Sequence, residues 1–280
     1  MSRAKASTGG TRGFIVPIGG DGRRIRKAAI LRRFVQLCGG SRAHIAIVAT
    51  VSEMSDAGYR YERAFRDLRV DRVSLLRFGT RADCESERDL EVLDSVDGIF
   101  LIGSETAHLS ETLGSTSVAQ KIRNRNAQGI HVAGTSTGAA FLPEQMIAAG
   151  QSGTTPRADI VELAPGLGLI GHLIIDQHYR HQDRLGRLLM ALTYNPLAVG
   201  IGLDEDTAAF IGPDHGLQVV GSGGITIVNP SQLQHSAIHP DRRHAPVSVI
   251  GLHLDILVEG DLYDLAAHRA TISAHSDSRR

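Results

Sequence analysis

The chain has 280 residues, of which 42% are hydrophobic and 21% are charged, so it can build a folded core and is not disordered, collagen-like or a coiled coil. Thirty basic residues balance thirty acidic ones, so no net field would draw the whole molecule onto nucleic acid, a membrane surface or a polyacid. Any recognition by charge must therefore be local.

Apolar runs of strand length alternate with helical patterns through the first half of the chain. This alternation predicts βα units and a parallel sheet that is covered on both faces. The predicted helices are 25–37, which ends at a glycine pair, and 59–68. The predicted strands of this half are 13–18, 44–49, 72–76, 98–102 and 129–133.

From about Leu197 the pattern changes to short strands separated by Gly, Pro and Asn turns, which predicts antiparallel strands on the far side of the sheet. These strands are 208–211, 216–220, 224–228 and 247–254. Because no linker interrupts the apolar runs, we expect a single domain over 12–267, with flexible polar tails at 1–11 and 268–280.

The two cysteines, Cys38 and Cys84, form no CxxC motif and are typical of buried thiols in a reducing compartment. The first twelve residues lack the apolar stretch of a secretory signal, and no apolar run reaches membrane-spanning length. These features predict a cytoplasmic protein.

The most informative motif is Gly134-Thr-Ser136-Thr-Gly138, which follows an apolar strand and precedes a helix-forming stretch. A nucleophile elbow needs this context, because a serine on a strained turn tolerates only small neighbours. The amide of Thr137 would then supply half of an oxyanion hole, and another βα loop would supply the second donor. A glycine-rich βα turn or a phosphate-binding loop would show the same pattern.

A serine nucleophile needs a base, and the strand that ends at Asp176-Gln177-His178 offers the best candidate. A hydrogen-bonded structural histidine is the alternative interpretation of His178. His178 and His181 also have a loose metal-ligand spacing, but no third ligand accompanies them.

Two further clusters follow His178. Arg184 and Arg187 are three residues apart on a predicted helix and could hold a substrate carboxylate, although a solvated basic face has the same pattern. Asp204, Glu205 and Asp206 end a short strand, and one of them could orient the histidine. An acid-rich turn is the alternative interpretation of these three residues.

In chain order, these motifs together resemble the cyanophycinase family, whose members are related to dipeptidase E. The motifs are Gly134-Thr-Ser136-Thr-Gly138, Asp176-Gln-His178-Tyr, Arg184-x-x-Arg187-Leu, Asn195-Pro and Gly200-Ile-Gly-Leu-Asp204-Glu205-Asp206. The resemblance covers most of the chain. It implies an α/β fold of the class I glutamine amidotransferase-like type, a three-layer sandwich around a mostly parallel sheet with antiparallel additions in the C-terminal part.

The resemblance also implies a Ser-His-Glu triad, which falls on Ser136, His178 and Glu205. Cyanophycin is a polyaspartate whose side-chain carboxyls carry arginine through isopeptide bonds, and the family releases β-aspartyl-arginine dipeptides from it. Asp176, Gln177, Arg184 and Arg187 would line the substrate pocket. The serine mechanism that the resemblance implies needs no metal or organic cofactor, and similar enzymes are often homodimers. The balanced charge predicts no nucleic-acid partner and no membrane association.

Two departures from the family pattern concern the pocket. Where the family usually reads Gly-Gly-Asp-Gln, this chain reads Gly103-Ser104-Glu105-Thr106, so Thr106 replaces the pocket glutamine. Gln182 stands where an arginine usually opens the pocket helix. The amide near Ser104 could still be the second oxyanion donor, since a backbone group does not depend on the side chain. We therefore expect intact catalysis with altered or relaxed specificity.

Three alternatives remain open from the sequence. One is a peptidase of the same family for other isoaspartyl or aspartyl peptides, and a second is a catalytically silent binding homologue on the same fold. The third is nucleotide binding by the loop 19–22, which has neither a Walker lysine nor a dinucleotide glycine pattern.

Overall fold

A computed structural model describes residues 12–20, 28–50, 56–103, 105–236 and 244–273. The α-helices of these segments are α1 Ala28–Leu37, α2 Ala57–Asp67, α3 Glu87–Asp94, α4 Thr106–Leu113, α5 Ser117–Ala127, α6 Thr137–Phe141 and α7 Leu185–Tyr194. The strands are β1 Ile15–Ile18, β2 His44–Thr50, β3 Arg72–Phe78, β4 Gly98–Gly103, β5 His131–Ser136, β6 Gln145–Gly150, β7 Val161–Pro165, β8 Leu173–Gln177, β9 Val199–Leu203, β10 Thr207–Ile211, β11 Gly216–Gly221, β12 Ile225–Asn229, β13 His235–Ser236, β14 Val249–Ile250, β15 His253–Leu257, β16 Leu262–Asp264 and β17 Arg269–Thr271.

The central sheet has nine strands in the order β17-β16-β11-β10-β1-β5-β4-β2-β3. The five strands from β1 to β3 in this order are parallel, and β10, β11, β16 and β17 extend the sheet antiparallel. All seven residues of β2 are buried, as expected for a parallel strand covered on both faces. The predicted α/β class is therefore confirmed.

Alternation along β2 divides the core into two layers. Ile45 and Ile47 pack on the side of α1 and α2, whereas Ala46 and Val48 face the opposite layer, which includes α5. Successive strand residues point to opposite faces, so an unbroken apolar run fills both layers at once. The result is a sheet between two covering layers, as the sequence predicts.

The C-terminal strands divide between two sheets, which differs from the sequence-based expectation. Strands 208–211 and 216–220 do extend the central sheet, as β10 and β11. Strand 224–228 instead pairs as β12 with β9 and β15, in a separate sheet of the order β15-β12-β9-β8. Apolar periodicity marks a strand but does not choose its partner, so the second sheet could not be predicted from the pattern.

Two predicted boundaries also change. The expected strand 247–254 is interrupted between β14 and β15 at Gly251, whose φ is +89° and whose Cβ position would lie 2.2 Å from the carbonyl oxygen of Gln232. The predicted C-terminal tail begins too early, because β17 lies inside 268–280 and pairs with β16. Backbone pairing orders a polar segment that has no apolar pattern of its own.

Both cysteines are buried and free. Burial is the main cause that raises the pKa of Cys84 to about 11, and it raises the pKa of Cys38 further. Neither thiol is therefore a reactive thiolate near neutral pH. In the part of the chain that the structure describes, no helix is long and apolar enough to cross a bilayer.

A loss of stability below neutral pH is expected from His131, which begins β5. The amide of Phe14 donates to Nδ1 of His131 over 3.0 Å, so protonation of that nitrogen would break the hydrogen bond. Desolvation lowers the pKa of His131, and a hydrogen bond with the backbone of Leu37 opposes this effect. A histidine with a lowered folded-state pKa contributes stability that is present above its unfolded pKa of about 6.5 and is lost as the pH falls below it.

Urea unfolding at pH 7.5 and pH 5.5 measures this effect. The loss of unfolding free energy at the lower pH should be smaller in His131→Asn than in the native protein. His268→Asn changes an exposed histidine and should leave the loss unchanged. Equal losses in His131→Asn and the native protein would show that His131 does not couple to folding.

Candidate active site

The polar residues predicted for the site meet where strands of the two sheets end. β5 ends at Ser136, β8 ends just before His178, and β9 ends just before Asp204. The amide of His178 donates to the carbonyl of Gly19, which follows β1, over 3.2 Å. This hydrogen bond joins the carboxyl ends of both sheets, the edge at which α/β proteins place their ligands.

Ser136 lies at the junction between β5 and α6, in the strand–turn–helix context that the sequence predicts. Its backbone has φ 53° and ψ −120°, a conformation that is strained for a residue with a side chain. A Cβ at Gly134 would lie 2.4 Å from the carbonyl oxygen of Gly138, and one at Gly138 would lie 2.5 Å from that of Leu101. Both flanking positions therefore require glycine for close packing.

A chain of hydrogen-bonding atoms links Ser136, His178 and Glu205. The Oγ of Ser136 lies 3.1 Å from Nε2 of His178, and Nδ1 of His178 lies 2.9 Å from Oε1 of Glu205. The side chains of His178 and Glu205 are 20% and 29% exposed, so both are partly accessible to solvent. The arrangement has a hydroxyl, an imidazole and a carboxylate in the order that proton transfer from a serine requires.

The two carboxylates beside Glu205 have other partners. Asp204 accepts hydrogen bonds from the amides of Arg180 and Gly224 over 3.2 and 3.0 Å, while Asp206 accepts from the hydroxyl of Ser222 over 2.5 Å. These contacts tie the ends of β8 and β9 to the turn before β12. Among the three acids, Glu205 is the one whose carboxylate lies within hydrogen-bond distance of His178. The periodicity of the sequence could not show this.

Gly20 is a site residue that the sequence analysis did not assign. Its φ is +100°, and a Cβ there would lie 2.6 Å from Nε2 of His178 and 3.3 Å from Cβ of Ser136. Its carbonyl accepts a hydrogen bond from the amide of Asp206 over 3.1 Å. The Gly19-Gly20 pair at the end of the first strand is the signal that could have identified it. The rest of the proposed nucleotide loop lies outside the described residues.

Asp176, at the end of β8, joins the two predicted pocket arginines. Arg187 donates from Nε to Oδ2 of Asp176 over 2.7 Å and from Nη2 to Oδ1. Arg184 donates from Nη1 to Oδ1 over 3.3 Å and to the backbone carbonyl of Gln177 over 2.5 Å. Burial lowers the pKa of Arg184. The positive charge of Arg187 lowers this pKa as well, whereas the carboxylate of Asp176 raises it. Two guanidinium groups share one carboxylate, so this buried cluster has a net charge of +1 and favours an anion.

Part of the hydrogen-bonding capacity of this cluster is unused by the described residues. Nε of Arg184 and Oε1 of Gln177 are buried and have no hydrogen-bond partner there. Gln182 accepts a hydrogen bond from Nη2 of Arg184. It belongs to a short 3₁₀ turn before α7, not to the α-helix that the sequence predicts, because Asp183 has a left-handed backbone.

The oxyanion residues predicted from the sequence are described only in part. Thr137 begins α6 and is 7% exposed, and its Oγ1 has no hydrogen-bond partner among the described residues. Ser104 lies outside the described residues. Thr106 begins α4, three residues after Gly103 at the carboxyl end of β4.

The described segments contain no group of three or more His, Cys, Asp or Glu side chains arranged to hold a metal ion. His181 is exposed, and its Nε2 lies 4.0 Å from Oε2 of Glu205. The spacing of His178 and His181 therefore does not form a metal centre in this part of the chain.

A large loss of stability is expected when Asp176 is changed to asparagine. The side chain of Asp176 is 1% exposed and that of Arg187 is 10% exposed, so the variant would leave a buried guanidinium without a counter-charge. Removing one partner of a buried ion pair costs roughly 3–5 kcal/mol of unfolding free energy, as measured by urea unfolding.

Asp94→Asn is the matched control for this measurement. Asp94 pairs with Lys121 at the surface, and the side chain of Asp94 is 54% exposed. A surface pair contributes about 0–1 kcal/mol. If Asp176→Asn cost no more than Asp94→Asn, the Asp176 cluster would not stabilise the fold.

The overall fold is shared with solved peptidase structures. A peptidase from an acI-B1 actinobacterium superposes with a TM-score of 0.66 at 18% identity, covering 92% of this chain and 98% of that one. A putative peptidase E protein from Listeria monocytogenes EGD-e has a TM-score of 0.51 at 14% identity, covering 76% of this chain and all of that one. At these identities the likeness concerns the fold alone.

Sequence comparison is more specific. The cyanophycinase of Synechococcus elongatus is 37% identical over 271 residues, which are 96% of this chain and 84% of that protein. The cyanophycinase of Trichormus variabilis is 38% identical over 267 residues, 95% of this chain and 90% of that protein. The model of peptidase family S51 matches residues 18–219, a range that contains Ser136, His178 and Glu205. The chain thus belongs to peptidase family S51.

Proposed function

We propose that this protein is a serine-type exopeptidase that hydrolyses cyanophycin to β-aspartyl-arginine dipeptides. The observation that carries the proposal is the chain of contacts from Ser136 through His178 to Glu205, at 3.1 and 2.9 Å. Family membership supports the peptidase class, and the names of the curated relatives support the substrate.

Acylation begins when Nε2 of His178 accepts the hydroxyl proton of Ser136. The serine oxygen then attacks the main-chain carbonyl of an aspartyl residue and forms a tetrahedral intermediate. Glu205 holds His178 through Nδ1 and stabilises the imidazolium that the proton transfer creates. The imidazolium next protonates the leaving amine, the peptide C–N bond breaks, and Ser136 retains the acyl group.

The oxyanion needs two donors close to Ser136. The amide of Thr137 follows the nucleophile directly, and we assign the second donor to the amide near Ser104. A water molecule, deprotonated by His178, then attacks the acyl carbonyl, and His178 returns the proton to Ser136 as the ester bond breaks. Every group in these steps belongs to the chain, the substrate or water.

The pocket cluster is suited to the charges of the substrate. Each arginyl side group has a free carboxylate and a guanidinium, and the Asp176 cluster has one excess positive charge. Nε of Arg184 is a buried donor with no partner in the described segments, so it can donate to a substrate carboxylate. Arg187 acts through Asp176, which it binds with two hydrogen bonds.

A second candidate function is hydrolysis of short isoaspartyl or aspartyl peptides. Gln182 favours it, because this side chain binds Arg184 where the family pattern has an arginine. In the sequence, Thr106 replaces the family's pocket glutamine. The two substitutions exchange larger side chains of the family pattern for smaller or uncharged ones, which suits a shorter and less charged substrate.

Release of soluble β-aspartyl-arginine from purified insoluble cyanophycin tests the proposal, with Ser136→Ala as the comparison. Release that depends on Ser136 supports the cyanophycin reaction. Absence of release, with labelling of Ser136 by a fluorophosphonate probe, would favour the short-peptide function, to be assayed on isoaspartyl dipeptides. Absence of both release and labelling would indicate a catalytically silent binding homologue.

Glu205→Gln is expected to lower kcat by roughly 10³–10⁴-fold, because the amide neither stabilises the imidazolium nor holds its Nδ1–H tautomer. Asp206→Asn is the matched control: the adjacent acid binds Ser222 and lies in a left-handed conformation that asparagine also adopts. We expect it to change kcat less than about tenfold. A larger loss in Asp206→Asn than in Glu205→Gln would contradict the assignment of the third residue.

We also retain a homodimer and a cytoplasmic location as proposals. The dimer rests on the family resemblance alone, and sedimentation at several protein concentrations tests it. The location is supported by two buried free cysteines, which suit a reducing compartment.

A further inference from the structure

Two buried hydroxyl groups are in contact directly beside the nucleophile. Thr135 precedes Ser136 on β5 and is 3% exposed, and Tyr61 lies on α2 and is 7% exposed. The Oη of Tyr61 lies 3.2 Å from Oγ1 of Thr135, a hydrogen bond between residues that are 74 positions apart in sequence. This hydrogen bond therefore connects helix α2 to the strand that ends at Ser136.

The surroundings of this hydrogen bond are apolar. Tyr61 belongs to the core layer between the central sheet and helices α1 and α2, together with Ile18 and Ile102. Thr135 pairs with Ile18 of β1 on one side and with Ile102 of β4 on the other. A hydrogen bond in a layer of low dielectric constant is stronger than in water, and the loss of one hydroxyl deprives the other of a buried partner. The contact is therefore costly to break.

The ring of Tyr61 is held by neighbouring aromatic side chains. Its centroid lies 4.7 Å from that of Phe100, which in turn lies 5.3 Å from that of Phe65 and 6.0 Å from that of Phe34. All three distances fall within the range of favourable aromatic contacts, about 4.5–7 Å. Phe34 and Phe65 lie on α1 and α2, whereas Phe100 lies on β4. Packing between the helices and the sheet therefore sets the position of the Tyr61 hydroxyl.

The strained backbone of Ser136 is held from both layers of the core. Such a conformation persists only where the surrounding structure over-determines it. Helix α6 begins directly after Ser136 and packs into the layer opposite α2 through Ala139 and Phe141. On the α2 side, the hydrogen bond from Tyr61 holds the residue directly before Ser136. These contacts fix the backbone on both sides of the nucleophile.

We propose that Tyr61 is a positioning residue for the nucleophile. By holding Thr135, it aligns Oγ of Ser136 with Nε2 of His178, which lies 3.1 Å away. Tyr61 acts through Thr135 and does not contact the reacting atoms. Small misplacements of a reacting group lower the rate strongly, so a contact one residue from the nucleophile affects the chemical step. This inference rests on the proposed serine mechanism, because it concerns the alignment of that nucleophile.

Tyr61→Phe keeps the aromatic ring and removes the hydroxyl. We expect it to lower the rate of Ser136 labelling by a fluorophosphonate probe about fivefold, as for loss of one neutral hydrogen bond. The probe reacts with the activated serine and needs no pocket for cyanophycin. On soluble β-aspartyl-arginine oligomers, kcat should fall by the same factor while KM changes less than about twofold, because the substrate contacts are intact. Urea unfolding of each variant defines the conditions in which these rates report on folded enzyme.

Variants of Thr135 test whether the hydrogen bond carries the effect. Thr135→Val has nearly the same shape without a hydroxyl and should slow labelling to the same extent as Tyr61→Phe. Thr135→Ser retains the hydroxyl and should react at close to the native rate. The double variant Tyr61→Phe/Thr135→Val should be no slower than either single variant, because both changes remove the same contact. Losses that multiply in the double variant would contradict a role of Tyr61 through Thr135.

Tyr263→Phe is the matched control. Tyr263 is 1% exposed and its hydroxyl is also buried, but it lies on β16, which three strands separate from β5 in the central sheet. This variant should be labelled at the native rate. A native rate in Tyr61→Phe, or an equal loss in Tyr263→Phe, would overturn the proposal.

The labelling rates do not depend on cyanophycin, so they decide the role of Tyr61 even where the proposed substrate is wrong. Failure of the native enzyme to react with the probe would overturn both the serine mechanism and the role of Tyr61.

Discussion

Ser136→Ala is expected to lower kcat by about 10⁶-fold, the effect of removing the nucleophile from a serine hydrolase. Without Oγ, the imidazole 3.1 Å away has no hydroxyl to deprotonate, and no acyl-enzyme can form. Substrate binding should remain, because the Asp176 cluster does not contact the removed atom. Steady-state hydrolysis and equilibrium binding of the same substrate together measure the two effects.

Two further variants separate the chemistry from folding. Ser110→Ala removes a hydroxyl that donates to the carbonyl of Pro165, and it should retain native kcat. Ser136→Gly should lose activity as Ser136→Ala does. It should unfold at a higher urea concentration than Ser136→Ala, because glycine adopts φ 53° without strain. Substantial turnover by Ser136→Ala would exclude the proposed mechanism.

His178→Asn is expected to have a comparable effect, again about 10⁶-fold in kcat, because the serine loses its base. Asparagine is preferred to alanine here, since His178 has φ 52° and asparagine adopts left-handed backbone more readily than other residues. Rapid-quench measurement of the first turnover should show that acylation itself is slow, because His178 acts before the acyl-enzyme forms.

His172→Asn is the matched control for this experiment. His172 also has a left-handed backbone, with φ 55°, but it is exposed just before the amino end of β8, away from Ser136. It should retain native kcat and stability. If His178→Asn retained a native rate of acylation, another group would have to be the base.

Strands β1, β2, β4 and β5 of the first half were predictable from sequence because their apolar runs are buried between the two covering layers. In β2 the apolar run 44–49 leaves no position exposed, so burial alone identifies the strand. The strands of the second half are also apolar, but β10 and β12 join different sheets. Partner choice depends on long-range packing, which a local pattern does not contain.

Some features of the candidate site were likewise predictable from sequence, and others were not. A glycine-flanked serine and a histidine after an apolar strand stand out by residue type and position. Residue type and position do not show which of Asp204, Glu205 and Asp206 contacts the histidine. The directions of these side chains depend on a turn in which Asp206 has a left-handed backbone. The two pocket arginines were also predictable only in part. Helical spacing predicts that Arg184 and Arg187 share a face, but only packing against β8 shows that both bind Asp176.

The sequence by itself determined the α/β class, the strand–turn–helix around Ser136 and the positions of the polar strand ends, because these follow from local periodicity and glycine sterics. Tertiary structure alone decided which strands form the second sheet, which carboxylate lies within hydrogen-bond distance of His178, and that Gly20 adjoins the site. These features arise where segments distant in sequence meet, and their contact energies depend on distances that no single segment encodes.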